Sequence, residues 1–332
     1  MVVDRSHHQR LRIPGIVVAT LVGGTVECEG FGTLEAEPEP SALRWEIGSI
    51  TKVFTGVLLA DMALRGEVSL DDPIGRFVPD GVAARLPDRA RQPTLADLAS
   101  HTSGLPRIPR AWLWRLRGAD DPYGHLTEED VWEVLGPSTV RPRRRRRPHY
   151  SNYGMGLLGH LLGRAAGRSY EDLVTERLLV PLGLEATGFG LLGVVPGYRG
   201  RRLAPPWTFG ALQAAGALRS TAADMISFAS ACLDPPDGTL GEAMRMAQRR
   251  RSGGRIAGVG LGWQVRGLPG AEPSAWHDGG TYGACSFLAV DPTVRVAVAA
   301  FGNRGPRFAS PLDGASWRLF GRLRREAAGD GG

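Results

Sequence analysis

Lys52 is the only lysine in a chain of 332 residues, and it follows a serine, Ser49, by three positions. Lysine and arginine together number 40, so the other 39 of these residues are arginine. Positions three apart share one face of a helix, and a serine needs a neighbouring base to become a good nucleophile. A buried lysine can lose its proton and act as that base, whereas arginine cannot. The spacing therefore predicts an acyl-transferring site in which Ser49 is the nucleophile and Lys52 its base.

A second candidate motif is Tyr150-Ser151-Asn152, at the start of a predicted helix. The Tyr150 hydroxyl could relay a proton between the serine and a leaving group. The Asn152 amide could hold Lys52 or an amide group of a substrate. Taken alone, the motif is more typical of a buried tyrosine followed by a helix N-cap.

The third candidate motif is His277-Asp278-Gly279-Gly280, on the approach to a predicted strand over 284–290. Glycines such as Gly279 let the backbone pass close to a ligand, and the N–H of Gly280 could serve as a second oxyanion donor beside that of Ser49. His277 could donate to a substrate carboxylate or to Tyr150. The alternative is a glycine turn that carries a surface histidine.

Hydrophobic periodicity indicates which elements position these motifs. Strands are predicted over 14–21, 24–31, 256–266, 284–290 and 294–301, with a hairpin at Gly23-Gly24. Helices are predicted over 49–65, 94–100, 127–135, 152–165, 169–179, 221–233 and 311–326.

Strands thus lie at both ends of the chain and helices in the middle, which predicts a mixed α/β (α+β) fold. Hairpin-linked strands pair antiparallel, so the expected architecture is one antiparallel sheet built from both termini and flanked by helices, with an inserted all-helical subdomain. We assign 1–66 and 250–332 to the sheet subdomain and 67–249 to the helical subdomain. The active site is expected between them.

Composition limits the classes of partner. The net charge is +6, but the arginines are spread along the chain and no zinc-ligand spacing or recognition-helix pattern accompanies them, so no nucleic acid is expected. No apolar run reaches the roughly 20 residues of a membrane-spanning helix, and 11–23 is interpreted as a buried strand rather than an export signal. Three widely spaced cysteines form no disulfide framework, which indicates a reducing, cytoplasmic setting.

Taken together, the motifs resemble those of the serine β-lactamase and DD-peptidase superfamily, in its class C β-lactamase-like branch. The resemblance extends from about Ile13 to Arg304. It is carried by Glu46–Lys52, Leu98–Pro106, Tyr150–Gly154, Ala215–Asp224 and His277–Thr281. It implies a β-lactamase/transpeptidase-like fold.

The resemblance also implies roles for single residues. Ser49 and Lys52 would be the nucleophile and base, and Tyr150 the third catalytic group. Substrate binding and oxyanion stabilisation would be carried by Asn152, His277, Gly279 and Gly280. Dedicated class C β-lactamases usually carry Lys-Thr-Gly where this chain has His277-Asp278-Gly279, a form seen in peptidase- and esterase-like members. The chain is also short for the family around 32–44 and 188–212, which implies a less enclosed cleft.

The sequence therefore predicts a serine hydrolase that acts through an acyl-enzyme on small esters or amides, including D-amino-acid peptides, with no metal or organic cofactor. An acyltransferase that resolves the same intermediate with an amine or alcohol is an alternative, and a non-catalytic ligand-binding relative is another. The sequence predicts no oligomeric state.

Four further features lie outside the three motifs. His101 is expected to be structural, and Ser220–Asp224 to cap a helix. Trp112 and Trp114 would line a substrate pocket or pack the helical part. The arginine run Arg143–Arg147 lies just ahead of Tyr150 and could attract anionic substrates.

Overall fold

The N-terminal hairpin forms where the sequence predicts it. A computed structural model describes residues 11–136, 140, 147–254, 256–267, 273–305 and 310–329. Strands β1 (Gly15–Val22) and β2 (Thr25–Gly32) pair antiparallel through the turn Gly23-Gly24. Both turn glycines have positive φ, 57° and 88°, as the tightest hairpin turns require.

The two ends of the chain build one antiparallel sheet, as predicted. In the part of the chain that the structure describes, the sheet has eight strands in the order β2-β1-β12-β11-β10-β9-β8-β7. The C-terminal strands are β7 (Ser252–Gly253), β8 (Ala257–Val259), β9 (Gln264–Arg266), β10 (Ser274–Gly280), β11 (Cys285–Asp291) and β12 (Val296–Gly302). Strand β1 pairs with β12, with Ile16 opposite Gly302 and Val22 opposite Val296. The first and last strands of the chain therefore lie side by side, second and third from the β2 edge.

Strand β10 was missed by the sequence analysis, which placed His277–Gly280 on the approach to a strand. The segment is itself a strand, with His277 opposite Leu288 and Gly280 opposite Cys285 of β11. Glycine and aspartate have low strand propensity, and pairing with a buried neighbour overrides it. The predicted strand over 256–266 is likewise two short strands, β8 and β9.

Helices were predicted better than short strands. The helices are α1 (Thr51–Leu64), α2 (Asp80–Ala83), α3 (Leu95–Ala99), α4 (Glu128–Glu133), α5 (Asn152–Ala166), α6 (Tyr170–Val174), α7 (Ala222–Leu233), α8 (Thr239–Gln248) and α9 (Pro311–Ala328). Helices α2 and α8 were not predicted from the sequence. Two small antiparallel strand pairs were not predicted either: β3 (Arg44–Glu46) with β6 (Arg219–Thr221), and β4 (Gly197–Arg199) with β5 (Arg202–Ala204).

The sheet is covered by helices on both faces, which explains why β1 is almost continuously apolar. Ile16 and Val18 belong to the cluster that α9 completes, whereas Val17 and Ala19 belong to the main core. Helix α7 packs on the main-core face against β1, β11 and β12, although it falls inside 67–249, the segment assigned to the helical subdomain.

Helix α1 is the central element of the molecule. It is buried from Thr51 to Met62 and contacts α3, α5, α6 and α8. A helix that is apolar all round is expected in the core of a large domain. Because α1 is fixed on all sides, a side chain in its first turn has a well-defined position.

Candidate active site

The nucleophile candidate lies one turn ahead of the central helix. Ser49 is in a short 3₁₀ turn, Gly48–Ile50, that leads into α1, and Lys52 is in the first turn of α1. This geometry brings Lys52 Nζ to 2.9 Å from Ser49 Oγ. The Lys52 side chain is fully buried, and its amine also donates to the Ala215 carbonyl at 2.5 Å. The sequence spacing thus brings the two groups into contact.

Tyr150 reaches the same serine from the helical side. Ser151 caps α5, accepting the Gly154 N–H at 2.8 Å, and this fixes the chain just before the helix. The Tyr150 hydroxyl donates to Ser49 Oγ at 2.6 Å. Tyr150 and Lys52 therefore both donate to Ser49 Oγ, although Tyr150 lies 101 positions after Ser49 in the sequence.

The surroundings move the pKa values of the two partners in opposite directions. Burial, assisted by the nearby Arg107, lowers the pKa of Lys52 well below its ordinary value. Burial raises the pKa of the Tyr150 hydroxyl well above its ordinary value. The neutral amine is thereby favoured on one side of Ser49 Oγ and the protonated phenol on the other.

Two neutral histidines lie against Tyr150. The ring centres of His101 and His277 are 4.6 Å and 6.1 Å from that of Tyr150. Burial is the main cause that lowers the pKa of both imidazoles. The Ser151 N–H donates to His101 Nδ1 at 3.3 Å, so the proton of His101 lies on Nε2.

His277 has the other tautomer. Its Nδ1 donates to the Asp278 carbonyl at 2.6 Å, which leaves Nε2 as an acceptor. Among the described residues, Nε2 of His277 and of His101 are buried and have no hydrogen-bond partner. The sequence predicts that His277 donates to a substrate carboxylate or to Tyr150. The structure instead gives it a buried acceptor nitrogen.

Asn152 contacts neither Ser49 nor Lys52 through a hydrogen bond in the described residues. Its Nδ2 donates to the Tyr123 hydroxyl at 3.2 Å, and its Oδ1 is buried without a partner in the same part of the chain. The interpretation that Asn152 holds Lys52 is therefore not the arrangement seen. An unpaired buried oxygen remains able to accept from an amide N–H of a ligand.

The end of β10 approaches the nucleophile turn closely, and two glycines make this possible. A Cβ on Gly279 would lie 2.0 Å from the Ile47 carbonyl oxygen, and a Cβ on Gly48 would lie 2.7 Å from the Gly280 nitrogen. Gly48 also has a φ of 49°, which favours glycine. The backbone of Gly280 thus lies beside the turn that carries Ser49, as two amides of one oxyanion hole would require.

The cleft beside Ser49 is large enough for a small ligand. It encloses about 590 Å³, and its lining includes Ser49, Tyr150 and Gly280. Strand β9 pairs with β10 only from Ser274 to Trp276. In the described residues the later part of β10 has no strand partner on that side, so a strand edge is open toward the cleft.

Several functional candidates escaped the sequence analysis because they come from loops without a motif. Arg107, Trp207 and Tyr282 line the cleft, and Tyr123 holds Asn152. The position of Arg107, one residue after the motif Leu98–Pro106, was the one available signal. The described residues contain no group of three or more potential metal ligands.

The weaker predictions have mixed outcomes. Trp112 packs edge-on against Tyr153 in the core, and Trp114 is 73% exposed. Neither is among the described residues that line the cleft. Thr221, rather than Ser220, caps α7 by accepting the Asp224 N–H. Most of the arginine run Arg143–Arg147 lies outside the described residues.

The described helices are also too short or too polar to cross a membrane.

Comparison with known proteins places this geometry in context. The family model named Beta-lactamase matches residues 3–320. Penicillin-binding protein 4 of Amycolatopsis lactamdurans is 29% identical over 334 residues, covering 90% of this chain and 82% of that protein. A β-lactamase of Escherichia coli (strain K12) is 30% identical over 279 residues, which cover 79% of this chain and 68% of the relative.

The fold is similar to that of a solved structure. The β-lactamase/D-alanine carboxypeptidase from Yersinia pestis, complexed with citrate, superposes with a TM-score of 0.80 over 96% of both chains, at 24% identity. This likeness supports the β-lactamase/transpeptidase-like fold that the sequence analysis expected.

Proposed function

The chain belongs to the β-lactamase family of serine hydrolases, and we propose that it cleaves small esters or amides through an acyl-enzyme on Ser49. The observation that carries the proposal is the environment of one atom. Ser49 Oγ lies 2.9 Å from the buried Lys52 amine and 2.6 Å from the Tyr150 hydroxyl. A serine between a neutral amine and a protonated phenol has a base and an acid ready at once.

The two neighbours divide the proton transfers of acylation. Lys52, neutral because it is buried, takes the proton from Ser49 Oγ as that oxygen bonds to the substrate carbonyl carbon. Tyr150, whose raised pKa keeps its proton, gives that proton to the leaving amine or alcohol. The Lys52 ammonium then returns a proton to Tyr150, so the pair ends acylation as it began.

The oxyanion is stabilised by backbone amides. We assign this role to the N–H groups of Ser49 and Gly280, since the turn and the end of β10 lie against each other. Such donors are fixed before reaction, so they cost no reorganisation when charge develops. Water then attacks the acyl-enzyme with Tyr150 and Lys52 reversing their roles.

The third motif favours substrates other than β-lactams. His277 occupies the position where dedicated class C enzymes carry a lysine, and burial lowers its pKa, so no fixed positive charge stands there to bind a carboxylate. The open edge of β10 can pair with an extended peptide. A D-alanyl-D-alanine-carboxypeptidase/endopeptidase of Escherichia coli (strain K12), 33% identical over 145 residues that cover 43% of this chain, supports D-amino-acid peptides as the substrate class.

We also propose that the protein works in a reducing compartment. Cys28, Cys232 and Cys285 are unpaired thiols, two of them buried. Burial raises the pKa of Cys285 to about 12, which disfavours the reactive thiolate.

A substrate panel tests the function. We expect the protein to release D-alanine from D-alanyl-D-alanine peptides, or alcohol from short esters, faster than it opens a cephalosporin. Ser49→Ala should abolish turnover. Lys52→Arg keeps a long basic side chain but cannot deprotonate, and it should reduce turnover on the order of a thousandfold. Preferential cephalosporin hydrolysis, or equal activity of Lys52→Arg, would contradict the proposal.

A further inference from the structure

Three residues before the nucleophile, the acidic Glu46 lies opposite the basic Arg219 on the neighbouring strand, and both residues are buried. The two residues are direct partners in the small sheet of β3 and β6, and they are only 5% and 2% exposed. Burial raises the pKa of the Glu46 carboxyl, and the hydrogen bonds from Trp207 and Thr281 and the charge of Arg219 oppose that rise. Taking two charges out of water is costly unless each finds good hydrogen-bond partners.

Both charged groups bind the backbone of the same residue, Trp207. The Trp207 N–H donates to Glu46 Oε1 at 2.8 Å, and Arg219 Nη2 donates to the Trp207 carbonyl. Arg219 Nη1 in addition donates to the Phe189 carbonyl at 3.1 Å and to the Ala217 carbonyl. The backbone of Trp207 is thus held at its N–H and at its C=O.

Trp207 is part of the cleft wall. It lines the cleft together with Ser49 and Gly280. Its indole packs edge-on against Tyr282 and Tyr123, with ring centres 4.7 Å and 5.5 Å away. Fixing the Trp207 backbone therefore fixes one aromatic wall of the substrate space.

The second oxygen of Glu46 reaches the other wall. The Thr281 hydroxyl donates to Glu46 Oε2 at 3.0 Å, and the same hydroxyl oxygen accepts the N–H groups of Gly283 and Ala284. Thr281 follows Gly280 directly, so the bond restrains the end of β10 that carries the proposed oxyanion amide. One carboxylate joins the first and last sequence motifs.

We propose that Glu46 is a positioning residue that, together with Arg219, sets the distance between the Trp207 wall and the Gly280 end of β10. The inference rests on the proposed function, because it names what aligns the acyl group against Ser49. Glu46 contacts no reacting atom. It acts by holding both walls from the strand that immediately precedes the nucleophile turn.

Losing the carboxylate should release both walls at once. Glu46→Gln leaves one acceptor oxygen where the Trp207 N–H and the Thr281 hydroxyl each use one, and it leaves the charge of Arg219 uncompensated. Thr281→Val removes only the bond to β10. Misplacement of a reacting group by about 1 Å can cost on the order of a hundredfold in rate.

Hydrogen exchange and acylation rates together test the proposal. We expect Glu46→Gln to speed amide exchange in 205–209 and 280–284, and to slow acylation of Ser49 on the order of tenfold to a hundredfold. Thr281→Val should affect 280–284 alone. The exposed Glu37→Gln is the matched control and should change neither quantity.

Unchanged exchange in both segments of Glu46→Gln would overturn the proposal. So would faster exchange spread evenly over the protein, since that reports general destabilisation. If wild-type Ser49 forms no acyl-enzyme, the proposed function fails, whereas the exchange measurement still decides whether Glu46 holds the two walls.

Discussion

At the scale of single residues, the site depends on Lys52 and Tyr150, whose pKa values are shifted in opposite directions by burial. Burial favours the uncharged form of every ionisable group, so it makes Lys52 a better base and keeps Tyr150 protonated. Both groups then meet at Ser49 Oγ in the protonation states that acylation needs. Pairs of groups with pKa values shifted in opposite directions are characteristic of acid–base sites. The assignment of Lys52 as base thus rests on its burial as well as its spacing.

Arg107 provides a direct test of this electrostatic account. Its guanidinium lies over the Tyr150 ring, 5.1 Å from the centre, and its charge helps to lower the pKa of Lys52. Arg107→Gln should therefore raise that pKa and move the acid limb of the kcat/KM profile to higher pH. Arg107→Lys keeps the charge and should leave the limb near its original position. An acid limb that does not move in Arg107→Gln would contradict this role.

At the scale of elements, periodicity predicted the hairpin β1–β2 and helices α1, α5, α7 and α9, because each buries a regular apolar face. Strand β10 could not be predicted in this way, because its glycines have low strand propensity. Gly279 is needed there for the close approach of β10 to Ile47. The contacts of Glu46 with Trp207 and Thr281 join segments more than 150 positions apart. Such contacts exist only once the chain has folded, so no local sequence pattern predicts them.

The close approach of β10 can be tested by adding one methyl group. Gly279→Ala would bring a Cβ to 2.0 Å from the Ile47 carbonyl oxygen and 2.3 Å from Ser286 Oγ. The strand must shift, so we expect kcat to fall on the order of a hundredfold, with a loss of about 1–3 kcal/mol in unfolding free energy. Gly81→Ala meets no atom within 4 Å and is the matched control. Normal kcat in Gly279→Ala would show that this approach does not shape the site.

At the scale of the whole molecule, the sheet connects the two ends of the chain and the C-terminal helix completes the cleft. Helix α9 covers β11 and β12, and its residues Asp313 and Trp317 line the cleft with Asp278. The substrate space is therefore built from three layers: the helical part, the sheet and α9.

Asp313 should make the stability of the fold depend on pH. Burial, together with the neighbouring Asp278, raises the pKa of the Asp313 carboxyl to about 7, above its value in the unfolded chain. Between these two pKa values the folded state keeps a proton that the unfolded state releases, so stability falls as pH rises toward 7 and just beyond. Asp313→Asn should reduce the fall in Tm between pH 5 and pH 8, whereas the exposed Asp237→Asn should not. An unchanged pH dependence of Tm in Asp313→Asn would refute this assignment.

The central claim is that Ser49 becomes acylated because Lys52 activates it. Treating the folded protein with a fluorophosphonate, followed by intact mass and peptide mapping, tests it most directly. We expect one adduct, located on Ser49, absent in Ser49→Ala and strongly slowed in Lys52→Arg. A cooperatively unfolding wild-type protein that forms no adduct, or forms it on a different residue, would contradict the account.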